Sequence, residues 1–227
     1  YVDGTLGGAG HSFEIAGRLT TGRLIGIDRD ETALSAAGAR LAPFADRVTL
    51  VHSNFCRMDE VIRQLGLPGV DGVLLDLGVS SPQLDEGSRG FSYMADAPLD
   101  MRMDRTDSLT AYQVVNEWPY EELKRILFDY GEERYAPQIA AAICRSREQK
   151  KIETTLELVD IIRGSLPGAA LREKQHPAKR SFQAIRIAVN DELDSVSRAM
   201  NAAIPILNPG GRLAVITFNS LEDRIVK

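Results

Sequence analysis

Apolar and polar positions are grouped along the first third of the chain so that each group reads as one element. Residues 1–5 (YVDGT) form a short strand that runs into glycines, and residues 11–19 suit a helix. Residues 23–28 (RLIGID) are an apolar run closed by an acid, followed by a helical stretch over 31–41. Residues 47–55 predict a third strand, 58–65 a third helix and 69–78 (GVDGVLLDLG) a fourth strand. Near-continuous apolar strands alternating with helices predict an α/β fold with a parallel sheet covered on both faces.

The alternation stops after residue 78. Residues 79–108 are rich in Ser, Pro, Gly, Asp and Met and read as loop, whereas 109–166 read as helices only. Pro119 stands at a helix start, Gly131 at its stop, and Thr154 with Glu157 makes a capping-box pattern. A polar stretch over 168–180 leads into one long amphipathic helix, whose stripe is Phe182, Ile185, Val189, Leu193, Val196 and Met200. A turn over 208–211 (NPGG) then precedes a fifth strand over 212–218. The pattern predicts a sheet domain formed by residues 1–104 and 179–227, interrupted by a helical insertion over 105–178. The chain opens on a strand and closes about one turn into a helix begun by Ser220 with Asp223 as a capping box, which reads as truncation at both ends.

Composition changes this picture little. With 44% hydrophobic and 26% charged residues there is enough apolar material for a core. No apolar run approaches the roughly 18 residues of a membrane span. Cys56 and Cys144 have no paired spacing, which fits a reducing cytoplasm. His11, His52 and His176 lack metal-ligand spacing, so no metal site is expected. The net charge of -5 hides an asymmetry: residues 134–186 carry 11 Lys and Arg against 5 Asp and Glu. One basic segment on an acidic body suits either a phosphate-facing surface or a solvated helical face.

The candidate chemistry begins with the glycines of residues 3–10 (DGTLGGAG), between a strand and a helix start that offers free N–H groups. Asp28 ends the next strand, where a carboxylate can accept hydrogen bonds from both hydroxyls of a ribose. Together they point to an adenosine cofactor. Gly4, Gly7, Gly8 and Gly10 do not fit the G-x-G-x-x-G spacing of a dinucleotide site, which favours S-adenosylmethionine over NAD. Phe55 closes the third strand and suits either packing on adenine or an ordinary place at the edge of the core.

Asp76 ends the fourth strand beside the expected switch point of the sheet, where open α/β sheets bind ligands. The Ser-Ser-Pro-Gln stretch from Ser80 to Gln83 follows, and amine-modifying methyltransferases often carry a short polar-Pro motif after this strand. A cytosine N4 amine is a poor nucleophile because its lone pair is conjugated with the ring. Acceptors for the amine hydrogens localise that pair, and Asp76, the Ser81 hydroxyl or a carbonyl near Pro82 can serve; an ordinary Ser-Pro turn is the plain alternative. Methylation at cytosine C5 needs a cysteine nucleophile instead. Neither cysteine has an evident activating neighbour, and both read as small hydrophobes. The segments 89–91 and 99–104 suit either a substrate lid or a loop that ties the insertion down.

These blocks, with residues 1–12, 26–30, 74–85, 89–94, 98–104, 176–193 and 216–227, resemble the bacterial small-subunit rRNA cytosine-N4 methyltransferase family (RsmH or MraW). The resemblance spans the chain. It implies a Rossmann-like class I methyltransferase sheet with an inserted all-helical domain that helps bind RNA, and S-adenosylmethionine as methyl donor. It implies donor contacts at Ala9, Gly10, His11, Asp28, Phe55, Asp76 and Gln83. The amine chemistry itself points to Asp76 and Ser81 as catalytic residues, and the basic segment points to RNA contacts at Lys179 and Arg180. The implied substrate is a decoding-centre cytidine, in free small-subunit ribosomal RNA or in the assembled subunit. A homodimer is compatible with the sequence. The family usually has His where this chain has Asn219, a third expected catalytic position; Asn keeps hydrogen bonding there but does not titrate. An NAD-dependent oxidoreductase and a non-catalytic RNA-binding protein of the same fold are the alternatives.

Overall fold

The computed structural model describes the backbone of residues 1–227 and every side chain except those of Ser81 and Pro82. In chain order the elements begin β1 (Val2–Asp3), α1 (Gly10–Arg18), β2 (Leu24–Asp28), α2 (Glu31–Leu41), β3 (Val48–His52), α3 (Met58–Gln64) and β4 (Val70–Asp76). Six helices follow: α4 (Ser81–Asp85), α5 (Ala111–Glu117), α6 (Tyr120–Asp129), α7 (Ala136–Gln149), α8 (Thr155–Ser165) and α9 (Lys179–Asn190). The chain ends with α10 (Glu192–Ile206), β5 (Leu207–Ile216) and α11 (Ser220–Val226). It divides into two compact units, one made of Tyr1–Pro82 with Glu192–Lys227 and the other of Gln83–Asp191. The helical insertion read over 105–178 lies inside the second of these.

The first unit is an α/β layer structure. Its sheet has the order β3-β2-β1-β4-β5 with every pair parallel. Strand order reverses between β1 and β4, which creates the crevice at the carboxyl ends where such sheets bind ligands. Side chains alternate between the faces of β2, as strand geometry requires. Ile25 and Ile27 pack on one face with Val73, Leu75, Ile62 of α3 and Ala199 of α10. Leu24 packs on the other with Leu6, Ala16 of α1 and Leu41 of α2. Gly26 is where Leu6 approaches closest: a Cβ there would stand 2.8 Å from Leu6 Cδ1.

The second unit buries Leu123, Ile126 and Leu127 of α6 with Ile139 and Ile143 of α7 and Leu158 and Ile162 of α8. Capping boxes at Thr110 and Thr154 start α5 and α8. The segment around Arg89 is tied into the interior of the second unit. Arg89 is buried and its Nη2 donates to the carbonyls of Arg102 and Met103, while Asn190 Oδ1 accepts the Met103 N–H.

Three expectations are corrected. The long amphipathic helix is two helices, because Asp191 takes a left-handed conformation at φ 49° that a short Asp side chain tolerates. Phe182, Ile185 and Val189 therefore belong to α9 and the second unit, and Leu193, Val196 and Met200 to α10 and the first. The stretch over 208–211 does not precede β5 but bulges within it: Val70 pairs with Leu207 and Gly72 with Arg212, with Gly210 at φ 84°. The loop after β4 contains α4 and a 3-10 turn over Gly87–Arg89.

Candidate active site

β1, β2 and β4 each end on an aspartate, so the fold brings Asp3, Asp28 and Asp76 to the carboxyl edge of the sheet. Asp3 is buried and anchors the glycine loop at both ends. Its carboxylate accepts Ser12 Oγ of α1 at 2.7 Å and the Thr5 N–H at 3.2 Å. Desolvation raises its pKa against the pull of these bonds.

The loop then turns through two left-handed residues, Gly7 at φ 46° and Ala9 at φ 57°. Ala9 precedes α1 and supplies no side-chain cap, so the backbone N–H groups of the first turn are not satisfied by a capping side chain. A Cβ built at Gly8 or Gly10 would meet nothing within 4 Å, so the loop borders open space. Asp28 holds this loop to β2. Its Oδ2 accepts the Gly7 N–H at 2.8 Å and its Oδ1 the Asp30 N–H at 2.9 Å. Each carboxylate oxygen has two acceptor directions, which leaves one on each. Burial raises the Asp28 pKa, with the two N–H bonds opposing.

Asp76 faces the loop across the switch point. Its N–H donates to Thr5 Oγ1 at 2.6 Å, which ties β4 to the loop. His11 Nε2 lies 3.3 Å from Oδ2. The other oxygen, Oδ1, is buried and finds no hydrogen-bond partner among the described residues. A carboxylate oxygen withdrawn from water without a donor is costly, and such an atom is an acceptor waiting for a ligand.

Phe55 begins a 3-10 turn after β3, half-buried against the core. Ala9, Gly10, His11, Asp28, Phe55 and Asp76 thus all lie in the first unit, on the loops and strand ends of this edge. Gln83 is buried on α4 and falls in the second unit. The Ser81 side chain lies outside the described residues. Asn219 is the N-cap of α11: its Oδ1 accepts the N–H groups of Leu221 and Glu222, both at 3.0 Å. The capping box is therefore Asn219 with Glu222 and not Ser220 with Asp223. With Oδ1 spent on the helix, Asn219 offers only its amide N–H groups. Cys56 is buried and Cys144 half-buried, and neither forms a disulfide.

Lys179 and Arg180 are exposed in the first turn of α9. Arg180 donates to the Glu132 carbonyl and lines a cavity of about 260 Å³ with Arg134, Tyr135 and His176. Sequence reasoning missed Asp3, Thr5 and Ser12. Their signal was present: an acid at the end of an apolar strand, followed by hydroxyls at the two ends of a glycine loop.

The model of the MraW methylase family matches residues 1–227. The chain belongs to the MraW methylase family. Ribosomal RNA small subunit methyltransferase H of Symbiobacterium thermophilum is 61% identical over 100% of this chain and 72% of its own. The proteins of the same name from Brevibacillus brevis and Exiguobacterium sibiricum are each 60% identical, over 100% of this chain and 73% of theirs. Membership of the MraW methylase family makes the chain a methyltransferase with a parallel α/β sheet. Among the described residues no helix is long and apolar enough to cross a membrane.

Proposed function

We propose that this chain transfers a methyl group from S-adenosylmethionine to the exocyclic N4 amine of a cytidine in small-subunit ribosomal RNA, at the decoding centre, in the cytoplasm. The observation that carries the reading is the buried, unpartnered Oδ1 of Asp76 beside a glycine loop that borders open space. The relatives' names supply the ribosomal substrate.

The residues fit the donor. The two remaining acceptor directions of Asp28 suit a ribose diol, Phe55 suits the adenine, and the turn at Ala9 with the open Gly10, His11 and Asp76 suits the amino-acid end. Gln83, buried on α4, is kept as a further expected donor contact. When bound, the donor supplies an electrophilic methyl group. Asp76 does the rest of the work: Oδ1 accepts an N4 hydrogen, turns the lone pair out of conjugation and takes the proton that the amine must lose. The Ser81 hydroxyl is a second acceptor. Asn219, its carbonyl committed to α11, orients substrate through its N–H groups and is no base. No cysteine takes part.

The test is labelled methyl transfer to free small-subunit RNA and to assembled subunits, with the product nucleoside identified by mass. N4-methylcytidine is the expected product; a C5-methylated product or none at all would sink the reading.

We assign RNA recognition to the helices over 105–178 with Lys179 and Arg180 at their end. Replacing both by Ala is expected to lower RNA affinity and to shallow its salt dependence by about one to two phosphate contacts. Donor binding should survive. An unchanged slope of affinity against salt would return the pair to a solvated helix face.

A further inference from the structure

We propose that Phe218 is the platform on which the target base stacks beside Asp76. This rests on the reading above that the substrate is a cytidine.

β4 and β5 leave the sheet together. Asp76 pairs with Ile216, and the Leu77 N–H donates to the Ile216 carbonyl at 3.0 Å. Two residues further on, Gly78 and Phe218 face each other: a Cβ built at Gly78 would lie 3.7 Å from Phe218 Cδ2. Gly78 has φ 102°, a conformation that side chains avoid, so this position puts no side chain over the ring. The Phe218 side chain is 72% exposed. Single exposed apolar residues are common and mean nothing by themselves. This one differs because its backbone is clamped. The Phe218 N–H donates at 2.8 Å to Glu222 Oε2, and Glu222 is buried inside the capping box of α11. The fold therefore fixes the backbone of this residue and leaves its ring without a core.

The other rings of the first unit are spoken for. Phe13 and Phe44 pack edge to face on each other, Phe55 is half-buried against the core, and Tyr1 precedes the amino end of β1. Phe218 is thus the exposed phenyl ring at the carboxyl edge among the described residues of this unit, the exposed imidazoles of His11 and His52 lying against Asp76 and the Arg29 carbonyl. An enzyme acting on a base must take it out of its stack and hold it by its face as well as its edge. Asp76 Oδ1 engages the edge, and Phe218 supplies the face.

Three variants test this, Phe218→Ala, Phe218→Leu and Phe218→Trp, with small-subunit RNA as substrate. Loss of the ring in the Ala and Leu variants should lower kcat/KM for RNA about 5- to 150-fold, the range of base–aromatic stacking. Trp should recover most of the loss, and donor affinity by calorimetry should not move. RNA abasic at the target position should bind the original protein more weakly than intact RNA, and this difference should shrink in the Leu variant to the share held by the Asp76 edge contact. If the unaltered protein makes N4-methylcytidine and the Leu and Ala variants do so with unchanged kcat/KM, the inference falls alone. If the unaltered protein makes no N4-methylcytidine, the functional reading falls and takes the inference with it.

Discussion

Asp76→Ala is expected to lower methyl transfer by about 10²- to 10⁴-fold, the usual contribution of a positioned proton acceptor. The structure gives the reason: Oδ1 is buried and has no hydrogen-bond partner among the described residues. Asp76→Asn keeps the shape and an oxygen but cannot take the proton, so it should be nearly as damaging. Because His11 sits 3.3 Å from the other oxygen, some donor affinity should be lost as well, and calorimetry separates that share from the loss in kcat. Replacing Cys56 and Cys144 together by Ser should leave transfer largely intact. A kcat within a few-fold of normal in Asp76→Ala would remove its catalytic role. A covalent adduct trapped on 5-fluorocytidine RNA and lost with either cysteine would move the chemistry to C5.

The second large effect belongs to Asp28. Asp28→Ala should weaken donor binding by about 1.5–3 kcal/mol, the worth of hydrogen bonds to a charged group. That is about 10- to 150-fold in Kd by titration calorimetry. Part of the loss will come from the loop, since Asp28 also accepts the Gly7 N–H. A pH profile isolates the carboxylate. Burial raises the Asp28 pKa above its ordinary 3.8, so the anion that accepts the hydroxyls is lost at a higher pH than for an exposed aspartate. Donor affinity should fall as pH drops through that raised value, and the fall should be absent in Asp28→Ala. Stability of the free protein runs the other way. Between 3.8 and the raised pKa the folded chain binds more protons than the unfolded one, so this group costs stability as pH rises through the window. Unchanged donor affinity in Asp28→Ala would end the assignment.

Much of this edge was legible because strands of a parallel sheet are buried on both faces. An acid that interrupts such an apolar run, as Asp28 and Asp76 do, marks the point where the strand meets water or ligand. The break at Asp191 was not legible. One left-handed residue leaves the spacing of apolar positions at three and four, so the stripe from Phe182 to Met200 reads as continuous although it serves two units. The start of α11 was misread by one residue because Asn219 and Ser220 are both good caps. The longer side chain of Glu222, able to reach back to the N–H groups of Phe218 and Asn219, decides between them. Asp3 carries the same signal, an acid that closes an apolar strand. The exposure of Phe218 was invisible, because in sequence it is only the end of a strand.

The first unit is assembled from the two ends of the chain, and this orders events during synthesis. As Tyr1–Pro82 leaves the ribosome, β4 has no β5 to pair with, and the face lined by Ile25, Ile27 and Leu75 has no α10 to cover it. The nascent sheet therefore exposes a strand edge and apolar surface while the whole of Gln83–Asp191 is translated. The helical segment, rich in local contacts, closes its own core meanwhile. At equilibrium the long excursion is cheap, since loop-closure entropy grows only with the logarithm of length. Its cost is paid in time, as the interval during which four strands wait for β5.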